Sequence, residues 1–210
     1  MSSSITVPPG IEDEQHNVIE ITAKGGDDNW LPFDREKTGP IVNGFIHDRK
    51  DEKFALLWTK EGFGVGHYVP IIEFVKEGED EIEVLKNAVK VQTGGLEPTE
   101  ISDAGNFLVV IEGNPVAIRA KAYRITAWEG DIAETPEKRP EWFKSYNETP
   151  ANASLPPIPI EKTFEDEQYF YPTFFAPHGK RSVSRSDFAA PAKPEDVVGP
   201  LLRYWFAAAN

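Results

Sequence analysis

The chain has 210 residues, 40% of them hydrophobic, 11% aromatic and 27% charged, which fits one folded domain with its own core and argues against two full domains or a disordered chain. Its 22 basic and 35 acidic side chains leave a formal charge of -13, a field that repels nucleic-acid backbones and anionic lipid surfaces. Cysteine is absent, so disulfides, a thiol nucleophile, zinc-cysteine sites and cysteine-held clusters are excluded.

The opening segment, MSSSITVPPGIEDEQHN, has neither the basic start nor the apolar stretch of a secretory signal, and residues 1–16 read as a flexible polar arm. No run approaches the roughly 18 apolar residues of a membrane span, so the expected location is cytoplasmic, with the nucleus left open. HNVIEITA supplies a short strand. Residues 41–47 and 54–59 are two apolar runs separated by HDRKDEK, the pattern of a β-hairpin with a charged tip. After the glycine-rich GFGVG comes HYVPIIEFV, a further strand in which Pro70 marks an edge, a bulge or a strand end.

Over residues 80–93, Ile82, Leu85, Ala88 and Val89 recur at three- and four-residue spacing before Gly94-Gly95, which predicts a helix and its stop. Strands at 107–111 and 116–128 are joined by the tight-turn sequence EGNP. An acidic loop over 129–139 leads to PEWF. A proline-rich connection over 147–159 carries two N-x-S/T triplets, at Asn147 and Asn152. A second helix is expected over 164–175 with its aromatics buried. GKRSVSRSD reads as a solvated basic loop, and Val197, Leu201, Leu202, Trp205 and Phe206 suggest a terminal helix whose start Pro200 could interrupt. The implied organisation is an arm over 1–16, a domain over 17–178, and a C-terminal extension over 179–210 with its helix packed on the core.

KEGFGVGHY, VKEGE, EKRPEWF and FEDEQYFYP stand in order and with similar spacing to segments of the Nudix hydrolases. Among these the chain most resembles the enzymes that hydrolyse oxidised purine nucleoside triphosphates such as 8-oxo-dGTP. The resemblance covers roughly residues 41–175 and implies an α/β (α+β) Nudix fold, a mixed β-sheet sandwiched between α-helices.

The Nudix signature, G-x5-E-x7-R-E-U-x-E-E-x-G-U with U aliphatic, holds magnesium through its glutamates. With Glu79 as the first glutamate, the arginine falls on Asn87 and the three helix glutamates on Ala88, Val91 and Gln92. The first glycine falls on Glu73, while Gly94 keeps the later one. Sliding the helix by one residue moves the three acids to Val89, Gln92 and Thr93. Neither register supplies the carboxylate oxygens that magnesium prefers. The resemblance therefore implies a degenerate Nudix box, with no metal site and no cofactor expected. Glu73, Glu77, Glu79, Glu83 and Glu137 remain as acids near the box in sequence or by analogy.

The base side of the family's site is better kept. By motif alignment its purine clamp falls on Phe164, Asp166 and Glu167, and its pocket phenylalanine on Phe63. The asparagine that reads the base falls on Val69, beside Tyr68. Two adjacent carboxyls in a partly apolar cleft push their pKa values apart, so one can stay protonated as a donor or general acid. The same two acids also suit a helix N-terminus, where they complement the dipole. His67, Glu73 and Glu137 complete the acid-base candidates, although a lone histidine after a glycine turn is also an ordinary surface residue and Glu73 equally fits a solvent face. Val84, Ala88 and Val91 lie along one helix stripe, which serves either core packing or an apolar wall of the cleft.

The sequence thus points to a divergent Nudix-fold protein that binds or converts a small, partly apolar or heterocyclic ligand without magnesium-dependent pyrophosphate hydrolysis. Two alternatives stand beside it: a nucleoside triphosphate pyrophosphohydrolase with unorthodox metal ligands, and a protein-interaction pseudoenzyme. A small-molecule partner is expected, nucleic-acid polymers and membranes are not, and oligomeric state is left open.

Overall fold

The computed structural model describes residues 5–176, 180–193 and 196–210. In chain order the elements are β1 (Val18–Gly25), β2 (Thr38–Asp48), β3 (Lys53–Thr59), β4 (Tyr68–Val69), β5 (Ile71–Phe74), α1 (Glu81–Gln92), β6 (Glu97–Ile111), β7 (Ala117–Glu129), β8 (Lys138–Lys144), α2 (Glu167–Phe174), β9 (Arg181–Phe188) and β10 (Leu201–Ala209). The strands form one mixed sheet in the order β1-β10-β9-β6-β7-β2-β3-β4, with β5 also on β2 and β8 on β3. β2 runs parallel to β7, and β6 parallel to β9. This is the expected mixed sheet between helices.

Alternation along β2 sets the layers. Ile41 and Phe45 point into a core with the α2 aromatics Phe170, Tyr171 and Phe174, while Val42 and Ile46 point into a second core with Leu85, Ala88 and Val89 of α1. Helix α1 is started by Asp80, whose side chain accepts from the backbone N–H groups of Ile82 and Glu83, both at 3.0 Å. Its close approach depends on Gly44, where a Cβ would stand 2.8 Å from Leu85 Cδ1. Pro70 splits the expected strand into β4 and β5, since it has no N–H for the ladder. The PEWF segment is also strand: β8 pairs along β3 from Lys53↔Lys144 to Thr59↔Lys138.

Three expectations about the chain's ends are corrected. The described part of the N-terminal arm is packed, with Val7 and Ile11 buried against Leu108, Val110 and Val183. GKRSVSRSD is no solvated loop, because its residues 181–187 lie in β9, an interior strand between β6 and β10. Its charges are buried because they pair with each other: Arg185 Nε donates to Asp187 Oδ1 at 2.8 Å, and both side chains are essentially inaccessible. The terminal helix is instead β10, whose nine residues follow Pro200 and pair with β9 and β1. β9 and β10 are therefore integral to the sheet rather than an extension of it. The expected 178/179 boundary itself lies outside the described residues.

The Arg185-Asp187 pair also fastens the N-terminal segment. Arg185 donates to the carbonyls of Pro9 and Leu31 at 2.6 and 2.5 Å, its guanidinium lies over the rings of Trp30 and Phe33, and Leu31 N donates to Asp187 at 2.5 Å. Asn152, in one of the two glycosylation triplets, is fully buried and donates to the carbonyls of Glu52 and Asn147.

Candidate functional site

On the α2 face of the sheet lies a cavity of about 90 Å³. Its floor comes from alternate residues of adjacent strands: Ile41, Asn43 and Phe45 of β2, Phe107 and Val109 of β6, and Ile118 and Ala120 of β7. Ser184 and Phe188 of β9 and Phe206 of β10 form one wall, and Val197 and Val198 lie on the connection between those strands. The opposite side carries Phe63, Phe164, Asp166, Glu167 and Phe170.

The aromatic edge is built by the glycine loop. Gly62, Gly64 and Gly66 have φ of 82°, 78° and 79°, the left-handed region that glycine enters without a Cβ penalty. The alternation folds the loop tightly enough for His67 N to donate to Gly64 O at 3.0 Å. It presents Phe63 and His67 to the same ring: Phe164 lies 6.1 Å from Phe63 and 5.0 Å from His67. Phe63 is 38% exposed and marks the solvent side of the cavity.

The paired acids have different roles. Glu167 Oε2 accepts from Phe164 N at 3.1 Å while Glu167 N donates to Phe164 O at 3.0 Å, so this carboxyl closes the first turn of α2. Burial pushes its pKa well above the carboxylate range, and the neighbouring Asp166 charge adds to the effect. Asp166 occupies the N-cap position yet makes no capping hydrogen bond. Burial raises it to about 6, with the Ser186 hydroxyl acting in the opposite direction. Helix capping therefore accounts for Glu167 and leaves Asp166 directed to the cavity.

The remaining expected site residues are dispersed. His67 stacks at the edge of Phe164, outside the cavity lining. Tyr68 is buried between Trp58 and Phe143, and Val69 is fully buried in the α1-side core; neither lines the cavity, whereas Pro70 does. In β5 it is Ile72 that reaches the cavity, and the next residue, Glu73, points away with its Oε1 accepting from Phe74 N at 3.1 Å. Glu137 is exposed, and its backbone carbonyl takes the N–H of Lys60.

Val84, Ala88 and Val91 form no wall of the cleft, because α1 packs on the other face of the sheet. There Ala88 is buried in the core, Val84 is half-buried and Val91 is 63% exposed. Gln92 uses its amide to donate to Ile72 O at 2.8 Å. The acids of this region are engaged locally: Glu81 accepts from the Tyr123 hydroxyl at 2.8 Å, Glu83 pairs with Lys86, and Glu79 accepts from Lys76 N. Among the described residues no three His, Asp or Glu side chains converge into a metal-binding group. This donor set does not fit the magnesium site that the fold implies.

Two features of the cleft are absent from the motif reading. Asn43 stands in the β2 floor with a buried Oδ1 that has no hydrogen-bond partner. Ser184, Ser186 and Phe188 share one face of β9; the alternation in SVSRSDF is the signal that marks the strand.

The mutator MutT protein of Bacillus halodurans superposes on 80% of this chain and 97% of its own with a TM-score of 0.55, at 19% sequence identity. The chain has a MutT-type, Nudix fold. A Nudix hydrolase from Nitrosomonas europaea aligns over 73% of this chain and 80% of its own, with 10% identity and a TM-score of 0.49. No protein-family model matches the chain, and no curated protein does. Helix α1 covers one face of this sheet, and α2 with the preceding Phe164 forms the side of the cleft on the other.

Proposed function

We propose that this MutT-fold protein binds a small, partly apolar or heterocyclic molecule in the cleft between α2 and the sheet, and retains or converts it without magnesium-dependent pyrophosphate hydrolysis. The observation that carries this reading is the contrast between the two faces of the sheet. The cleft keeps an aromatic side, Phe63 and Phe164, and a pair of acids of raised pKa, Asp166 and Glu167. The helix of the degenerate box offers Ala88 in the core, Val91 in solvent and Gln92 as a hydrogen-bond donor. Hydrolysis of a pyrophosphate depends on metal ions that neutralise developing charge and activate water, and these side chains do neither.

Asp166 is the group suited to proton transfer. An acid with pKa about 6 is divided between its two forms near neutrality, the condition for an efficient acid or base. Glu167, whose pKa burial pushes well above the usual carboxylate range, stands beside it. The test has two parts: incubation with dGTP and 8-oxo-dGTP at millimolar magnesium, and mass spectrometry of small molecules released when the purified protein is denatured. The expected result is a ring-containing small molecule in near-stoichiometric amount and no nucleotide turnover. Magnesium-dependent release of nucleoside monophosphate and pyrophosphate would overturn the reading.

A further inference from the structure

The cavity has two polar poles set in an apolar wall. At one pole are Asp166 and Glu167, at the start of α2. At the other is Asn43, the one polar residue that β2 contributes, between Ile41 and Phe45 on the same strand face. The lining contains no Lys, Arg or His among the described residues.

One buried group in this cavity lacks a partner: Asn43 Oδ1 accepts no hydrogen bond. A buried polar atom without a partner costs stability, and native structures satisfy most such atoms. Here the sheet gives Asn43 no way to pair, since its strand neighbours on either side are Ile72 and Ala122. A ligand in the cavity is the available partner.

Charge narrows what that ligand can be. A phosphate or carboxylate placed here would meet two carboxyls and no cation in an apolar enclosure, losing hydration without compensation. A neutral ring loses little hydration and gains contact with the aromatic walls.

We propose that the cleft takes a phosphate-free ring compound that carries no negative charge and bears a hydroxyl group, with Asn43 as the residue whose Oδ1 accepts from that hydroxyl and selects for it. This rests on the reading of the cleft as a small-molecule site and names the chemical class that the site accepts.

The test uses three probes on one ring, measured at pH 7 by ligand-observed NMR titration: 4-methylphenol, 4-methylbenzoate and 4-methylphenyl phosphate. The neutral phenol is expected to bind at least tenfold more tightly than each charged counterpart. Asn43→Leu, close in shape and without the orphaned amide, is expected to weaken phenol binding at least fivefold while holding or raising Tm. That combination separates a binding residue from a structural one, whose loss lowers Tm. Should Asn43→Leu not fold, Asn43→Thr carries the same comparison, and the charge series on the unmodified protein stands without any variant. Tighter or equal binding of a charged probe overturns the inference while leaving a small-molecule site in place. Unchanged phenol binding in the Asn43 variants overturns the assignment of Asn43. Absence of binding by all three probes overturns both the inference and the reading beneath it.

Discussion

The Phe164 ring lies on the imidazole of His67, their centroids 5.0 Å apart and their planes 17° from parallel. The contact joins the glycine loop to the segment entering α2, so the aromatic edge of the cleft is held from both sides. Phe164→Ala removes this contact and the one to Phe63. Binding of the co-purifying ligand is expected to weaken by about 1 kcal/mol or more, in proportion to the lost aromatic surface. Titration of that ligand into the variant, with circular dichroism to verify the fold, checks the expectation. An unchanged affinity would place the ligand elsewhere.

Asp166 makes stability depend on pH in a direction opposite to that of most carboxylates. Its pKa rises from 3.8 to about 6 on folding, so the native state holds the proton more tightly than the unfolded chain. The stability this contributes is full below 3.8, is lost as pH rises toward 6, and stays lost above it. Asp166→Asn, neutral at every pH, is expected to be more stable than the unmodified protein at pH 7.5 by about 1–2 kcal/mol, discounted for solvent screening of a half-buried group. The difference should close by pH 4. Thermal melts across this range decide it, and equal Tm values at pH 7.5 would mean that the group is ionised at no cost.

The same variant separates two roles for Asp166 once a reaction is in hand. Turnover lost with affinity kept indicates proton transfer; affinity lost alone indicates recognition. Side-by-side kcat and KM measurements make the distinction.

Restoring carboxylates to α1 should have unequal consequences at neighbouring positions. Val91→Glu replaces a side chain that is 63% exposed and should change stability by about 0.5 kcal/mol or less. Ala88→Glu forces a carboxyl into the core beside Leu85 and Val89 and should cost about 2–4 kcal/mol. For the unmodified protein, millimolar magnesium at constant ionic strength should leave Tm unshifted, since ligands that bind the native state raise it. A magnesium-dependent rise would reveal a site assembled from other oxygens.

Arg185→Met leaves Asp187 buried without its main partner and should destabilise by about 3–5 kcal/mol. Because Leu31 N donates to Asp187 and Leu31 O accepts from Arg185, the Leu31 amide should lose protection from hydrogen exchange before the amides of β6 and β7 do. Uniform loss across the sheet would show that the N-terminal segment is not separately fastened.

Much of the central architecture was legible. Helix α1 announced itself through apolar spacing and its glycine stop. The GFGVG loop was readable because its glycines are demanded by backbone conformation, whereas the Phe164-Asp166-Glu167 group was reached only through the family resemblance. Strand β9 was hidden because Arg185 and Asp187 look solvent-loving one at a time, and only their pairing makes burial tolerable. β10 was hidden because LLRYWF carries apolar residues at spacings that suit a helix as well as a strand, while its partners lie far away in sequence. The misplaced α1 stripe has a similar cause: periodicity shows which side of a helix is apolar, but not which side of the sheet the helix covers. Asn43 could not be singled out, since its importance lies in what fails to surround it.

The sheet order has a consequence for how the molecule is made. β1 is synthesised before every other strand, yet its sheet neighbour is β10, which follows all the others. β9, synthesised just before β10, supplies the Ser184 and Phe188 wall. A nascent chain that has emerged only as far as α2 can assemble the α1-side layer around β2 and β7 and the floor of the cavity, but it lacks the β9 and β10 wall. Contacts so distant in sequence close slowly. Residues as far as β10 must therefore have left the ribosome before this wall of the cavity can form, and fragments truncated before β9 lack it.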